Sequence, residues 1–144
     1  MKKKISVREI TLVGLMAAMV YVTSAFLQIP IPTVIGNTRI HMGNVMCLLS
    51  GLLLGPLWGG LAAGIGSVFF DLTNPAYIAS APFTFVFKFL MAWVCGILYQ
   101  KWKGKGKVIL FSALAGTAGA LTYVILYLAK NFFESYIFLQ LPLA

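Results

Sequence analysis

Apolar residues come in long runs separated by short polar or proline-containing stretches, at 10–29, 42–58, 59–72, 83–99 and 108–129. At a rise of ~1.5 Å per residue, a run of about 20 crosses a ~30 Å hydrocarbon core. The third run is short for that task and is expected to tilt or to borrow length from its flanks. Gly55-Pro56 divides the second run from the third and predicts a tight reversal. Asn44, Leu48, Gly51 and Gly55 share one helical face, and Gly60, Gly64, Ser67 and Asp71 share another. Two small-residue stripes joined by a turn predict an antiparallel helical hairpin. Pro30, Pro32 and Gly36 predict a loop over 30–39, and Asn74-Pro75 opens a second loop through Pro82. The last run has a Gly/Ala-rich centre, and 130–144 reads as a mixed tail holding Glu134, Tyr136 and Pro142. The pattern predicts a single all-α integral membrane domain, a bundle of five helices. The tail is too short to cross again, so the expectation is a piece of a six-helix protein lacking its last span.

Composition supports a membrane solvent. The chain has 144 residues, 60% of them hydrophobic and 10% charged, with mean hydropathy +0.94. Globular domains carry about 25% charged residues. The net charge of +8 gathers mainly in a leader (Lys2, Lys3, Lys4, Arg8) and in the KWKGKGK segment at 101–107. No basic face with interleaved exposed aromatics exists, so nucleic-acid binding is not expected. Four predicted spans separate the two clusters, which puts both on one side of the bilayer. The positive-inside rule makes that side, and the N-terminus, cytoplasmic. The glycines of KWKGKGK lack phosphate-loop spacing, so the segment reads as a cytoplasmic loop. The first run is too long for a cleavable signal and lacks a small-x-small site. Cys47 and Cys95 lie inside apolar runs and read as small buried residues, not as a disulfide framework.

The polar residues of the apolar region fall at the ends of the runs. Arg39, His41, Asn44, Asp71, Asn74, Tyr77 and Lys88 all belong to the outer side under this topology. They are the candidate substrate-binding residues. Lys88 shares a helical face with Thr84, Ala92 and Cys95, and a lysine at mid-bilayer costs about 2.5–3.5 kcal/mol on insertion scales. It can pair with Asp71 and simply pin the hairpin, or point into an outer cavity and meet a ligand oxygen. Arg39 can anchor a span at the headgroups, and Tyr77 can join an aromatic belt or stack on a flat ligand. One histidine with no matched second ligand gives no reason to expect a metal. Catalysis finds no support either: the three carboxylates are unpaired in sequence, Ser67 in GIGSVF is not a nucleophile elbow, and no Walker motif exists. No cofactor is implied. On the first run Gly14 and Ala18 form a small-residue face, widened by Ala17, suited to another helix of this chain or of a partner.

The stretches IHMGNVMCLLSGLLLGPLWGGLAAGIGSVFFDL and APFTFVFKFLMAWVCGIL resemble the substrate-binding subunits (S components) of energy-coupling-factor vitamin transporters. The likeness covers the first five runs and is nearest the riboflavin, pyridoxine or thiamine-precursor branch. It implies capture of a small vitamin outside a bacterial plasma membrane, and ATP-driven uptake together with a transmembrane coupling subunit and two ATPases. It also implies that Gly14 and Ala18, standing for an Ala-x-x-x-Ala motif, dock the coupling subunit, that 30–39 is a lid, and that Lys88 belongs to the pocket. Two rival readings stand beside it. One is a self-sufficient carrier or channel with Lys88 and Asp71 as an ion-coupled gate, and the other a structural membrane subunit without a ligand.

Overall fold

A computed structural model describes residues 4–33 and 36–140, with side chains for 4–32 and 42–137. Helix α1 (Val7–Phe26) opens on a capping box. The Ser6 hydroxyl accepts from the Arg8 N–H at 3.3 Å, and the Ser6 N–H donates to the Glu9 carboxylate at 3.2 Å. This Ser-x-x-Glu box starts the helix before residue 10, where the apolar run alone would start it. α1 stops at Phe26, short of the expected 29, because the chain turns into strand β1.

Strands β1 (Gln28–Thr33) and β2 (Gly36–His41) pair antiparallel, with Gln28 opposite His41 and Pro30 opposite Arg39. The expected loop over 30–39 is therefore a β-hairpin. Proline blocks a ladder only where its N–H is needed. Pro30 and Pro32 are two apart, so both occupy the same phase of the alternation and both can face outward. The Met42 N–H donates to the Leu27 carbonyl at 3.0 Å, joining the base of the hairpin to the helix that follows.

That helix, α2 (Gly43–Thr73), contains both the second and the third apolar runs in one 31-residue element. Its one internal break is Gly55, at φ 84° and ψ −177°, a conformation that favours glycine. The Ser50 hydroxyl lies 3.0 Å from the carbonyl of Gly59, nine residues on. Cys47 Sγ lies 3.8 Å from the Ser67 hydroxyl, twenty residues on. In a straight helix those pairs would be separated by about 13 and 30 Å of rise. α2 is thus folded back on itself at Gly55-Pro56, into legs 43–54 and 56–73. A 3-10 turn (Ile78–Ser80) leads into α3 (Ala81–Trp102), with Pro82 in the first turn, where proline is tolerated. After the lysine loop, α4 runs over Val108–Gln140, well past the expected end at 129. No glycine or proline interrupts 130–140, and Lys130 and Glu134 pair at i, i+4.

Among the described residues four helices are long and apolar enough to cross a membrane, with α2, which holds two of the five expected runs, counting as one of them. α2 packs against α1 and α3, and α3 against α4. The core is made of small side chains, with Val20, Cys47, Ala63, Met91 and Ala92 at its centre. A β-carbon on Gly59 would sit 2.6 Å from Gly51 Cα, and one on Gly51 would strike the Ala92 carbonyl. The two legs of α2 and α3 therefore meet backbone to backbone, where packing rather than hydrophobicity holds helices together in lipid. Cys47 and Cys95 are buried free thiols.

This contact predicts opposite outcomes for two glycines. Gly51→Ala should lower stability by about 1–3 kcal/mol, as overpacking does. Gly14→Ala should be neutral or slightly stabilising, because nothing lies within 4 Å of the added carbon. Thermal unfolding of the purified variants in detergent checks the pair, and equal midpoints would mean that α2 and α3 are not in backbone contact at Gly51.

Candidate functional site

The fold-back of α2 brings Asn44, near its start, and Asp71, near its end, to the same end of the bundle. The C-terminal part of α1, the turn before α3, the first turns of α3 and the C-terminal half of α4 reach that end too. Together they enclose a cavity of about 320 Å³, within the usual size range of small-molecule pockets. Asn44, Asp71, Tyr77 and Lys88 line it, joined by Ser24, Ser67, Ser80 and Thr84.

Lys88 is 2% exposed and Asp71 6% exposed. Among the described residues the two make no direct ion pair. Lys88 Nζ, Asp71 Oδ2 and Asn44 Oδ1 are buried and have no hydrogen-bond partner there. Thr84 lies beside the Asp71 side chain in the lining. Lys88 Nζ sits 4.5 Å from the centroid of the Tyr123 ring, within cation–π range. An unsatisfied buried polar group costs about 1–3 kcal/mol. Three of them around one cavity provide a donor and two acceptors that a ligand can satisfy.

The walls are aromatic. Phe83 and Phe87 come from α3 and Tyr123 and Tyr127 from α4, each pair at i, i+4. Lys130 follows on the same α4 face and also lines the cavity. Sequence reasoning missed the aromatic residues because they count as apolar inside a span, and missed Lys130 because it ended the last span at 129 and took Lys130 for tail. The readable signal was Tyr123, Tyr127 and Lys130 at i, i+4 and i+7, one helical face.

The other candidates fall elsewhere. Asn74 does not line the cavity; its N–H donates to the Asp71 carbonyl at 3.2 Å and its carbonyl accepts from Tyr77 at 2.9 Å, so it shapes the turn after α2. Arg39 and His41 lie on β2, and their side chains fall outside the described residues. Gly14 and Ala18 lie on the exposed face of α1, where Ala18, Leu15 and Val22 border a shallow hollow of about 180 Å³. Ala17 faces inward instead, against Gly66 of α2. No three His, Cys, Asp or Glu side chains gather among the described residues.

A protein from Pyrococcus woesei, described as "Uncharacterized protein in gap 3'region", is 34% identical over 105 residues, covering 73% of this chain and 68% of that one. No solved structure matches. The family model "ECF-type riboflavin transporter, S component" matches residues 4–142. A family of substrate-binding transporter subunits, not of enzymes, accounts for a multi-pass chain whose buried polar groups converge on a cavity. The chain belongs to the ECF-type riboflavin transporter S component family.

Proposed function

We propose that this chain captures riboflavin or a closely related flat vitamin at the outer face of the cell membrane. It then releases the vitamin inward only in complex with a transmembrane coupling subunit and two ATPases. The observation that carries the reading is the buried trio of Lys88 Nζ, Asp71 Oδ2 and Asn44 Oδ1 between aromatic walls. A flat heteroaromatic ring with carbonyl oxygens and ring N–H groups can stack on tyrosine while accepting from Lys88 and donating to Asp71 or Asn44. The β-hairpin between α1 and α2 joins the bundle at the end that holds the cavity, and this supports its role as a lid. The Gly55-Pro56 reversal supports two short crossings in place of one long helix, and so five spans in all. The exposed face of Gly14 and Ala18 supports docking of the coupling subunit there, since Ala17 already serves the contact with α2.

Binding is tested by titrating purified protein with riboflavin and following quenching of flavin fluorescence. Lys88→Met removes the cation and keeps the stem, taking a favourable charge away from Asp71. The double variant Lys88→Met with Asp71→Asn should unfold at a higher temperature than Lys88→Met alone, since losing both charges is milder than losing one. It should still bind riboflavin at least about tenfold more weakly than the unaltered protein, ~1.4 kcal/mol. Near-normal affinity in a folded double variant would reduce Lys88 to scaffold.

Docking is tested by Ala18→Leu, which puts bulk on the outer face of α1. Transport by the assembled complex should be lost, with riboflavin binding to the isolated subunit unchanged. Normal transport with a normal yield of complex would remove α1 from the interface.

Orientation follows from the two lysine clusters. A cysteine at exposed Ala76 should react with a membrane-impermeant maleimide on intact cells, and one at Gly104 only after permeabilisation. Labelling of Gly104 on intact cells would invert the topology.

A further inference from the structure

We propose that Lys130 and Glu134 form a second, charge-selective subsite at the mouth of the cavity, one that takes the anionic end group of a ligand whose ring lies beside Lys88. The ligand class is a flavin-like molecule carrying a phosphate monoester on its tail. This inference rests on the proposed function and adds a second point of recognition to it.

Lys130 stands 22 residues after Val108, so about 33 Å along α4. That is one hydrocarbon thickness, which places its charge near headgroup level, where a cation is tolerated. It lines the cavity, and its side chain is only 15% exposed. Nζ lies 5.5 Å from the centroid of Phe83 on α3 and 5.9 Å from that of Tyr127 on α4. On its other side Glu134 holds it at 3.1 Å, and Glu134 is 55% exposed. Aromatic rings thus fix the cation from the cavity side, and a solvated carboxylate holds it from the water side.

Tyr123, over which Lys88 sits, lies seven residues before Lys130 on the same helical face. The two cations are therefore spaced by roughly 10 Å along the helix axis, comparable to a fused ring system with a short polar tail. The charges decide what can bind at each end. At the floor Lys88 is balanced by Asp71, and at the mouth Lys130 is balanced by Glu134. A neutral tail leaves the outer pair intact. A phosphate tail must displace Glu134 from Lys130, and an i, i+4 pair whose carboxylate is 55% exposed is weak enough to yield. A phosphate accepts stronger, charge-assisted bonds from the same ammonium group. Lys130 is then the anion's partner, and Glu134 the group that discriminates against it.

The test titrates riboflavin and riboflavin 5′-phosphate into purified full-length protein and into Lys130→Met, Lys130→Arg and Glu134→Gln. Lys130→Met should weaken the phosphate ester by about fivefold or more beyond any change in riboflavin affinity, and Lys130→Arg should restore the ester. Glu134→Gln should tighten the ester severalfold and leave riboflavin unchanged. Equal effects on both flavins, or none on either, overturn the subsite while leaving the proposed function standing. If Lys130→Met does not fold, Glu134→Gln decides, because its side chain is solvated; unchanged affinity for the ester overturns the proposal. A folded, unaltered protein that binds neither flavin overturns the proposed function, and this subsite with it.

Discussion

The close approach of the two legs of α2 determines where everything else can lie. Gly51, Gly59 and Ser50 let the legs touch at their backbones, and Ala92 of α3 enters the same contact. In lipid there is no hydrophobic driving force between helices, so their association depends on how near the backbones can come. Small residues allow that approach, and the positive φ of Gly55 reverses the chain within one residue. Were α2 straight, Asn44 and Asp71 would stand about 40 Å apart. Folded, they line the same cavity.

A core of this kind leaves space of a particular sort. Towards Gly55 it is filled by glycine, alanine and serine, and the helices are in contact. Towards the other end the side chains grow to Phe83, Phe87, Tyr123 and Tyr127, and the helices hold a cavity open between them. The polar groups lie where that cavity begins. Lys88 is fully buried yet touches an aromatic face, a less unfavourable surrounding for an ammonium group than hydrocarbon. The bundle thus keeps a charge within the bilayer's depth without a direct carboxylate partner among the described residues.

The sequence made some of this legible and hid the rest for physical reasons. Gly55-Pro56 and the glycine stripes on either side announced the reversal, because few other functions call for that pattern. Lys88 and Asp71 stood out because charge in an apolar run is costly. The β-hairpin was hidden by proline, which marks a broken helix and an outward-facing strand position equally well. Ser6-x-x-Glu9 was visible, but hydropathy placed the start of α1 later. The aromatic wall on α4 was hidden because tyrosine counts as apolar in a span, and because Lys130 and Glu134 imitate the end of a helix when they are a pair on one.

The rotation of α1 shows where composition stops being informative. Ala17 and Ala18 are equally small and adjacent, and either could face the bundle. What separates them is a partner residue. Gly66 of α2 lets the Ala17 carbonyl and the Val20 side chain of α1 come close, and once that face is inside, Gly14 and Ala18 turn outward, since neighbours on a helix point about 100° apart. The helix is left with a small-residue face towards lipid, where bulky Leu, Ile and Val would cover the backbone better. Val22 and Leu15 flank it and leave a hollow rather than a ridge. Which of two adjacent alanines stays exposed is thus decided by the contact of α1 with α2, not by the size of either residue.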